Sequence, residues 1–102
     1  MKRTRARSNC RLEASSEHAA AFKALAHLTR LQVFFLLVRN GGELPAGEIS
    51  EQVAVTGPTL SHHLDLLRRA GLVTSRKHER YVYYSVRRET VADMVRLLTA
   101  CC

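Results

Sequence analysis

Apolar residues recur at helical spacing in the middle of the chain, in two groups separated by a short break. Their positions are Ile49, Val53, Leu60, Leu64 and Leu67. Spacings of three and four residues predict two short helices joined by a tight turn. Thr56 is a suitable N-cap for the second helix. Pro58 suits its first turn, because the N–H that proline lacks needs no partner there.

The second of these helices has a polar face opposite its leucines. That face carries Pro58, His62, Asp65 and Arg69, flanked by Thr59 and Ser61, and Thr56 precedes it. Short hydroxyl side chains and an imidazole near the helix N-terminus, followed by an arginine, suit contacts with base edges and phosphates of DNA. An ordinary amphipathic helix with a solvated polar face would show the same spacing, so this pattern alone leaves both interpretations open.

Helical patterns also precede and follow the pair. An alanine-rich helix is predicted from a cap at Ser15 or Ser16 to about His27, and residues 31–38 are apolar nearly all round, which is typical of a central buried helix. Near the end of the chain, Thr90 predicts the N-cap of a last helix. The apolar stripe of that helix is Val91, Met94, Val95 and Leu98. Such a stripe needs a cover, and a second copy of the chain is the one we expect.

Between the helix pair and the last helix, the hydrophobic period changes from helical spacing to alternation. Residues 72–77 and 80–86 predict two strands around a turn at His78-Glu79. Three cations crowd the tip of this hairpin, namely Arg76, Lys77 and Arg80. Cations on a β-ribbon contact phosphates or the minor groove by default. The alternative is a charged strand edge that prevents aggregation.

The order of these elements predicts a winged helix-turn-helix, mainly α with a small β-hairpin (ααααββα), that dimerises through its first and last helices. We assign residues 13–102 to this DNA-binding domain with its C-terminal dimerisation helix, and residues 1–12 to a flexible basic arm. A chain of 102 residues has the length for one such domain with a modest core.

Charge is unevenly distributed along the chain. Residues 1–11 carry five bases and no acid, residues 12–67 carry three bases and six acids, and residues 68–88 carry seven bases and one acid. Two cationic blocks around a mildly acidic body indicate a polyanionic partner. Nucleic acid fits better than a membrane, because neither block has an apolar insertion face.

The sequence also bears on the compartment and on catalysis. No apolar run approaches the roughly 18 residues of a membrane-spanning helix, and the basic N-terminus lacks the apolar segment of a secretion signal. We therefore expect a cytoplasmic protein whose three cysteines are thiols rather than disulfides. The sequence contains neither a nucleophile–base pattern nor a phosphate-cradling glycine loop, so we do not expect an enzyme.

Three motifs resemble the ArsR/SmtB family of metal- and metalloid-responsive repressors. They are ALAHLTRL (24–31), TLSHHLDLLRRAGLV (59–73) and RYVYYSV (80–86). The resemblance covers roughly residues 16–100, and the middle motif is its most specific part. It implies that Thr59, Ser61 and His62 meet the major groove. It also implies that Arg80 approaches the minor groove.

Three further residues qualify the resemblance. His63 lies nearer the core face of its helix than His62 does, so we interpret it as structural. Leu28 stands where the family frequently has proline, a change we expect to be harmless. Glu79 stands where the wing turn frequently has glycine, which is expected to alter the turn and weaken wing contacts.

The family resemblance also implies an inducer site. One common arsenic site is a cysteine pair in an ELCVCDL-like segment, but that segment here reads ELPAGEI (43–49). Another is a zinc site on the last helix, but residues 88–100 contain no histidine. The thiols that remain are Cys101, Cys102 and Cys10. Adjacent cysteines at the end of the last helix resemble some arsenic-responsive members, in which a third cysteine follows a few residues further on.

Thiolate chemistry favours a soft ion at these cysteines. Trivalent arsenic or antimony prefers three sulfurs, and Cys10, just before the first helix, is the candidate for the third from either subunit. A small thiol is another source of that third sulfur. The structural alternative is that Cys101 and Cys102 are small residues beside the apolar stripe, with Cys10 an incidental surface thiol.

Together these features predict a homodimeric transcriptional repressor that needs no cofactor for folding. It would bind an imperfect palindromic operator in double-stranded DNA and release it when As(III) or Sb(III) binds the cysteine thiolates. Two alternatives stay open. The same repressor could respond to thiol oxidation or another soft metal, or the fold could be a winged-helix module that binds an acidic protein.

Overall fold

The computed structural model describes residues 13–99 as five helices and a three-stranded antiparallel sheet. The elements are α1 (Ser16–Leu25), α2 (Leu28–Asn40), β1 (Leu44–Pro45), α3 (Ala46–Val53), α4 (Gly57–Arg69), β2 (Val73–His78), β3 (Tyr81–Val86) and α5 (Arg88–Leu98). The predicted order of helices and hairpin is confirmed, and the short strand β1 is an addition. Residues 1–12, which hold the predicted basic arm, lie outside this range.

Local hydrogen bonds fix the ends of the first two helices. Ser15 caps α1, because its hydroxyl accepts from the backbone N–H of His18 while the His18 imidazole accepts from the Ser15 N–H. The helix ends at Leu25 rather than near His27, because the His27 side chain instead caps α2 by accepting from the Thr29 N–H. Gly41 closes α2 in the left-handed conformation that glycine adopts without strain.

The core lies where α2 crosses α4 and the base of the sheet. Its members include Val33, Phe34, Leu36 and Leu37 from α2 and the inward residues of α4. The prediction that α2 is buried nearly all round is wrong at Phe35 and Val38, which lie on its outward side and are exposed. A helix at the surface of a small domain has one side facing solvent whatever its sequence.

The turn between α3 and α4 is tight. Ala54 ends α3 in the left-handed region at φ 56°, a conformation that costs a non-glycine residue about 1–2 kcal/mol. The Ser50 hydroxyl donates to the Val55 carbonyl and supports the turn. Thr56 is the N-cap residue of α4 as predicted, but its hydroxyl makes no capping bond and donates to the Thr59 hydroxyl at 3.2 Å.

The sheet has the strand order β1-β3-β2, with β3 paired to both neighbours. The hairpin turn consists of Glu79 and Arg80, one residue later than predicted, and Glu79 has a φ of 57°. Glu79, which stands where the family frequently has glycine, thus adopts the left-handed conformation itself, and the weakening of wing contacts stays a prediction. The predicted strand start at Leu72 is also wrong, since β2 begins at Val73 and Leu72 is buried ahead of it.

The last helix begins before the predicted cap. Arg87 is the N-cap residue of α5 and makes no side-chain capping bond, whereas Thr90 lies inside the helix. The Thr90 hydroxyl donates to the Gly71 carbonyl at 2.7 Å and ties α5 to the end of α4. Between residues 13 and 99, no single helix has the length and apolarity to cross a membrane. Helices α1 and α2 meet those criteria only as a pair bent by 100°.

Candidate nucleic-acid interface

The N-terminal half of α4 separates into a buried side and an exposed polar side. Leu60, Leu64 and Leu67 are buried, as the helical spacing predicted. The exposed residues at the start of the helix are Pro58, Thr59, Ser61 and His62, with Thr56 exposed just before them. The structure therefore brings five of the predicted DNA-contacting residues together on one solvent-facing surface.

A buried histidine holds the inner side of α4 in place. His63 is 7% exposed, in agreement with its predicted structural role. Its Nδ1 accepts a hydrogen bond from Arg30 Nη1 at 3.2 Å, and the Arg30 Nε donates to the Ala24 carbonyl at 2.6 Å. Burial, followed by the nearby His27 and Arg30, lowers the pKa of His63. This set of contacts seats α4 on α1 and α2.

The C-terminal half of α4 carries cations that are already paired. Asp65 accepts from Arg68 at 2.5 Å and from Arg69 at 2.8 Å. The hydrogen bond from Arg68 lowers the pKa of the Asp65 carboxyl. Arg69, a predicted phosphate contact, is exposed but shares its guanidinium with this carboxylate.

The three wing cations do not share one environment. Arg76 and Lys77 are consecutive on β2, so their side chains leave opposite faces of the hairpin. Lys77 is paired with Val82 of β3. Val82 shares its face of the sheet with Tyr84, which packs against the core. Arg80 lies in the turn, with its guanidinium carbon 5.7 Å from the centre of the Tyr81 ring.

Arg76 is engaged by an acid that the sequence did not point to. Its Nε and Nη2 donate to Glu43 at 2.9 Å and 2.8 Å. The two residues are 33 positions apart, and β1, the strand that brings Glu43 to the sheet, was not predicted. No sequence pattern available to us would have paired them.

A second missed contact joins the first and last helices. His18 Nε2 lies 2.7 Å from Asp93 Oδ2, which links α1 to α5 across 75 residues of sequence. The sequence offered no signal for it, because such a pair has no characteristic spacing. Arg96 also approaches Asp93, at 3.5 Å.

The candidate inducer ligands Cys10, Cys101 and Cys102 all lie outside the described residues. Within residues 13–99, no group of three or more histidine, cysteine, aspartate or glutamate side chains is arranged to hold a metal ion.

Comparison with known proteins identifies the family. A family model for a helix-turn-helix domain matches residues 25–76. The homodimeric winged helix-turn-helix DNA-binding domain of Mb0332 from Mycobacterium bovis, described as a possible ArsR-family transcriptional regulator, superposes with a TM-score of 0.70 at 31% identity. The match covers 84% of this chain and 78% of that one. The chain belongs to the ArsR/SmtB family. It is accordingly a DNA-binding transcription regulator and not an enzyme, as predicted, while the inducer stays a prediction.

Other ArsR/SmtB relatives differ in their regulatory roles. The transcriptional activator HlyU of Vibrio cholerae is 38% identical over 84 residues, which cover 82% of this chain and 76% of HlyU. A homolog of the cadmium resistance regulatory protein CadC from Staphylococcus aureus is 36% identical over 77 residues, which cover 76% of this chain and 63% of that protein. The relatives of this chain thus include a transcriptional activator and a protein named for cadmium resistance.

Proposed function

We propose that this ArsR/SmtB protein is a repressor whose α4 reads the major groove of an operator. The observation that carries the proposal is the exposed surface of Thr59, Ser61 and His62 directly opposite the buried leucines of the same helix. Hydroxyl and imidazole groups at the start of a helix are suited to base edges. Thr56 and Pro58 extend the contact surface at the helix start. Arg69, which is paired with Asp65 through its Nε alone, contacts phosphate through its remaining N–H groups.

The wing supplies a second contact with DNA in this proposal. Lys77 and Arg80 are exposed near the hairpin tip, within the segment of residues 68–88 that carries seven bases and one acid. Cations at the tip of a β-ribbon contact phosphates and the minor groove. Arg76, predicted to act with them, is considered separately below because of its pairing with Glu43.

The repressor acts as a homodimer held together by α1 and α5. Val95 and Leu98 on α5 are 53% and 70% exposed, which leaves part of the apolar stripe without a cover inside one chain. The related Mb0332 domain is a homodimer. Two recognition helices related by a two-fold axis lie about one DNA turn apart, so the expected operator is an imperfect palindrome.

The inducer is a soft metalloid, As(III) or Sb(III), bound by Cys101 and Cys102 with Cys10 or a small thiol as the third ligand. Support comes from the affinity of thiolates for soft ions and from the metal resistance role in the name of the CadC homolog. Binding at the ends of the dimer-forming helices alters the spacing of the two recognition helices. A coupling of about 1–3 kcal/mol would weaken operator binding some 5–150-fold.

The test begins with selection of a binding site from a random pool of DNA duplexes by the full, reduced protein. Recovery of a palindromic site with half-sites about one turn apart supports the assignment of α4 as the helix that reads the major groove. His62→Ala should cost about 1–3 kcal/mol and relax the base preference at one position of each half-site. Selection that yields no preferred sequence would contradict the proposal.

Titration with arsenite then tests the inducer. We expect stoichiometric loss of operator binding by the wild-type protein. The variant Cys101→Ser/Cys102→Ser should keep operator binding and lose the arsenite response, with Cys10→Ser as the separate test of the third ligand. Release of the double variant by arsenite would place the sensor elsewhere. Release by peroxide, with no effect of arsenite, would identify a thiol-oxidation switch.

A further inference from the structure

Glu43 and Arg76 form a two-point ion pair across the sheet. The Arg76 Nε lies 2.9 Å from Glu43 Oε2, and its Nη2 lies 2.8 Å from Glu43 Oε1. Two parallel N–H···O bonds match the planar fork of a guanidinium to the two oxygens of a carboxylate, which is the most specific geometry available to such a pair.

The aromatic ring of Tyr83 also contacts the guanidinium of this pair. Tyr83 is the cross-strand neighbour of Arg76, and the Arg76 guanidinium carbon lies 5.2 Å from the centre of its ring. Tyr83 is also opposite Pro45 of β1, and Glu43 lies just before that strand. The contact therefore involves all three strands, with the guanidinium held between a ring and a carboxylate.

The Glu43 carboxylate accepts hydrogen bonds from the same N–H groups of Arg76 that would otherwise donate to a DNA phosphate. Arginine binds phosphate with the same fork of N–H donors that it offers to a carboxylate. The Arg76 hydrogen bonds lower the pKa of Glu43, so the acid stays ionised at neutral pH. An arginine held in this way is neutralised locally before DNA arrives.

We propose that Glu43 withholds Arg76 from DNA phosphates and so limits the number of ionic contacts that the wing makes. Lys77 and Arg80 then carry the ionic contact of the wing, while the Glu43–Arg76 pair ties the wing to the segment that leads into α3. The inference deepens the proposed DNA-reading function and rests on its wing contact. It reassigns Arg76 from a DNA ligand to a positioning residue.

The test is the dependence of DNA affinity on salt, because each phosphate contact contributes about 0.9 to the slope of log K against log salt. The variants are Glu43→Gln, Glu43→Ala and the double variant Glu43→Gln/Arg76→Gln. If release of Arg76 creates one new contact per protomer, the slope for a dimer steepens by about 1.8 in both single variants. Between 50 and 200 mM salt, that is roughly a further twelvefold loss of affinity.

The double variant is the sharpest comparison, because it has the same net charge as the wild type. We expect the two to have equal slopes. A shallower slope in the double variant would mean that Arg76 contacts phosphate in the wild-type complex, and it would overturn the inference. Glu89→Gln removes an exposed acid on α5 and controls for net charge alone. Slopes of the Glu43 variants that match this control would overturn the inference as well.

The measurement also separates this inference from the proposed function. Slopes are recorded on the selected operator and on a scrambled duplex of equal length, since phosphate contacts do not depend on base sequence. Equal affinity for both duplexes would contradict sequence reading by α4, while the slopes would still decide the role of Glu43. As a positive control, Lys77→Gln should make the slope shallower in every background.

Discussion

At the scale of single residues, His63 has the most constrained chemistry. It is the only buried polar or charged side chain among residues 13–99. Because the Arg30 guanidinium can only donate, His63 Nδ1 must accept, and the ring is neutral with its proton on Nε2. A protonated ring would lose this acceptor and place a second cation beside Arg30.

The lowered pKa of His63 predicts how stability depends on pH. The unfolded chain, in which histidine has its ordinary pKa of about 6.5, takes up the proton more readily than the folded chain does. The contribution of neutral His63 to the free energy of unfolding is therefore complete above about pH 6.5. It is lost as the pH falls from there through the pKa of His63 in the folded chain. Urea unfolding between about pH 5 and 8 measures this loss.

His63→Gln, which does not titrate, should be less stable at neutral pH yet show a weaker fall in unfolding free energy below about pH 6.5. His78→Gln is the control, because His78 is exposed on the wing. It makes the same substitution outside the core, and the pH profile of His63→Gln is compared with it. An unchanged pH profile in His63→Gln would rule out this residue as the source.

At the scale of elements, periodicity located every helix and both strands of the hairpin. Leu60, Leu64 and Leu67 sufficed for α4, because one buried face of a helix imposes its spacing on the sequence. The two-residue strand β1 left no such trace. It exists through its pairing with β3, Leu44 opposite Tyr84 and Pro45 opposite Tyr83, which no local pattern encodes.

The same distinction applies to the candidate site. The exposed face of α4 follows from spacing, so its position could be predicted from the sequence. The partners Glu43 for Arg76 and Asp93 for His18 are set by how elements pack, so they became visible only in the structure. The two misjudged helix ends involve side-chain hydrogen bonds, a local one from the Thr29 N–H to His27 and a tertiary one from Thr90 to Gly71.

The start of α2 offers a test of helix initiation. Leu28 is the first residue of α2, its side chain is exposed, and the N-cap His27 has φ −143° and ψ 128°, which a following proline permits. Proline suits this position because it fixes φ and gives up an N–H that no helical bond uses. Leu28→Pro should therefore stabilise the fold by about 0.4–1 kcal/mol.

The control for that variant is Leu28→Ala, which removes the same exposed side chain and leaves φ free. Denaturant unfolding should give Leu28→Pro the higher midpoint of the two, with an unchanged slope. If Leu28→Pro is no more stable than Leu28→Ala, contacts with other parts of the fold, rather than the backbone conformation at residue 28, hold the start of α2.

At the scale of the whole molecule, the cationic surface and the partly covered apolar stripe lie on different segments of the chain. The segment of residues 68–88, with seven bases and one acid, contains the wing and adjoins the exposed face of α4. Residues 89–99 carry instead an apolar stripe that is only partly covered, with Met94 buried and Val95 exposed. In the proposed dimer, a contact on α5 leaves the cationic surface free for the proposed contact with DNA.

That arrangement predicts a specific failure when charge enters the stripe. Val95 and Phe35 have nearly the same exposure, 53% and 54%, but lie on α5 and α2. In a two-fold dimer Val95→Glu places two uncompensated charges in the interface. We expect its dimer dissociation constant, measured by sedimentation, to rise by about a hundredfold or more. Operator affinity should fall by about 10²-fold, because bivalent binding is lost.

Phe35→Glu adds the same charge at an equally exposed site outside α1 and α5, so it should remain dimeric and bind the operator normally. The two variants are purified and compared at one concentration, and circular dichroism monitors their folding. The comparison therefore separates loss of the interface from loss of folding. If Val95→Glu stays dimeric, or Phe35→Glu dissociates, the two recognition helices are joined through another surface. The expected half-site spacing would then have to be derived from that surface instead.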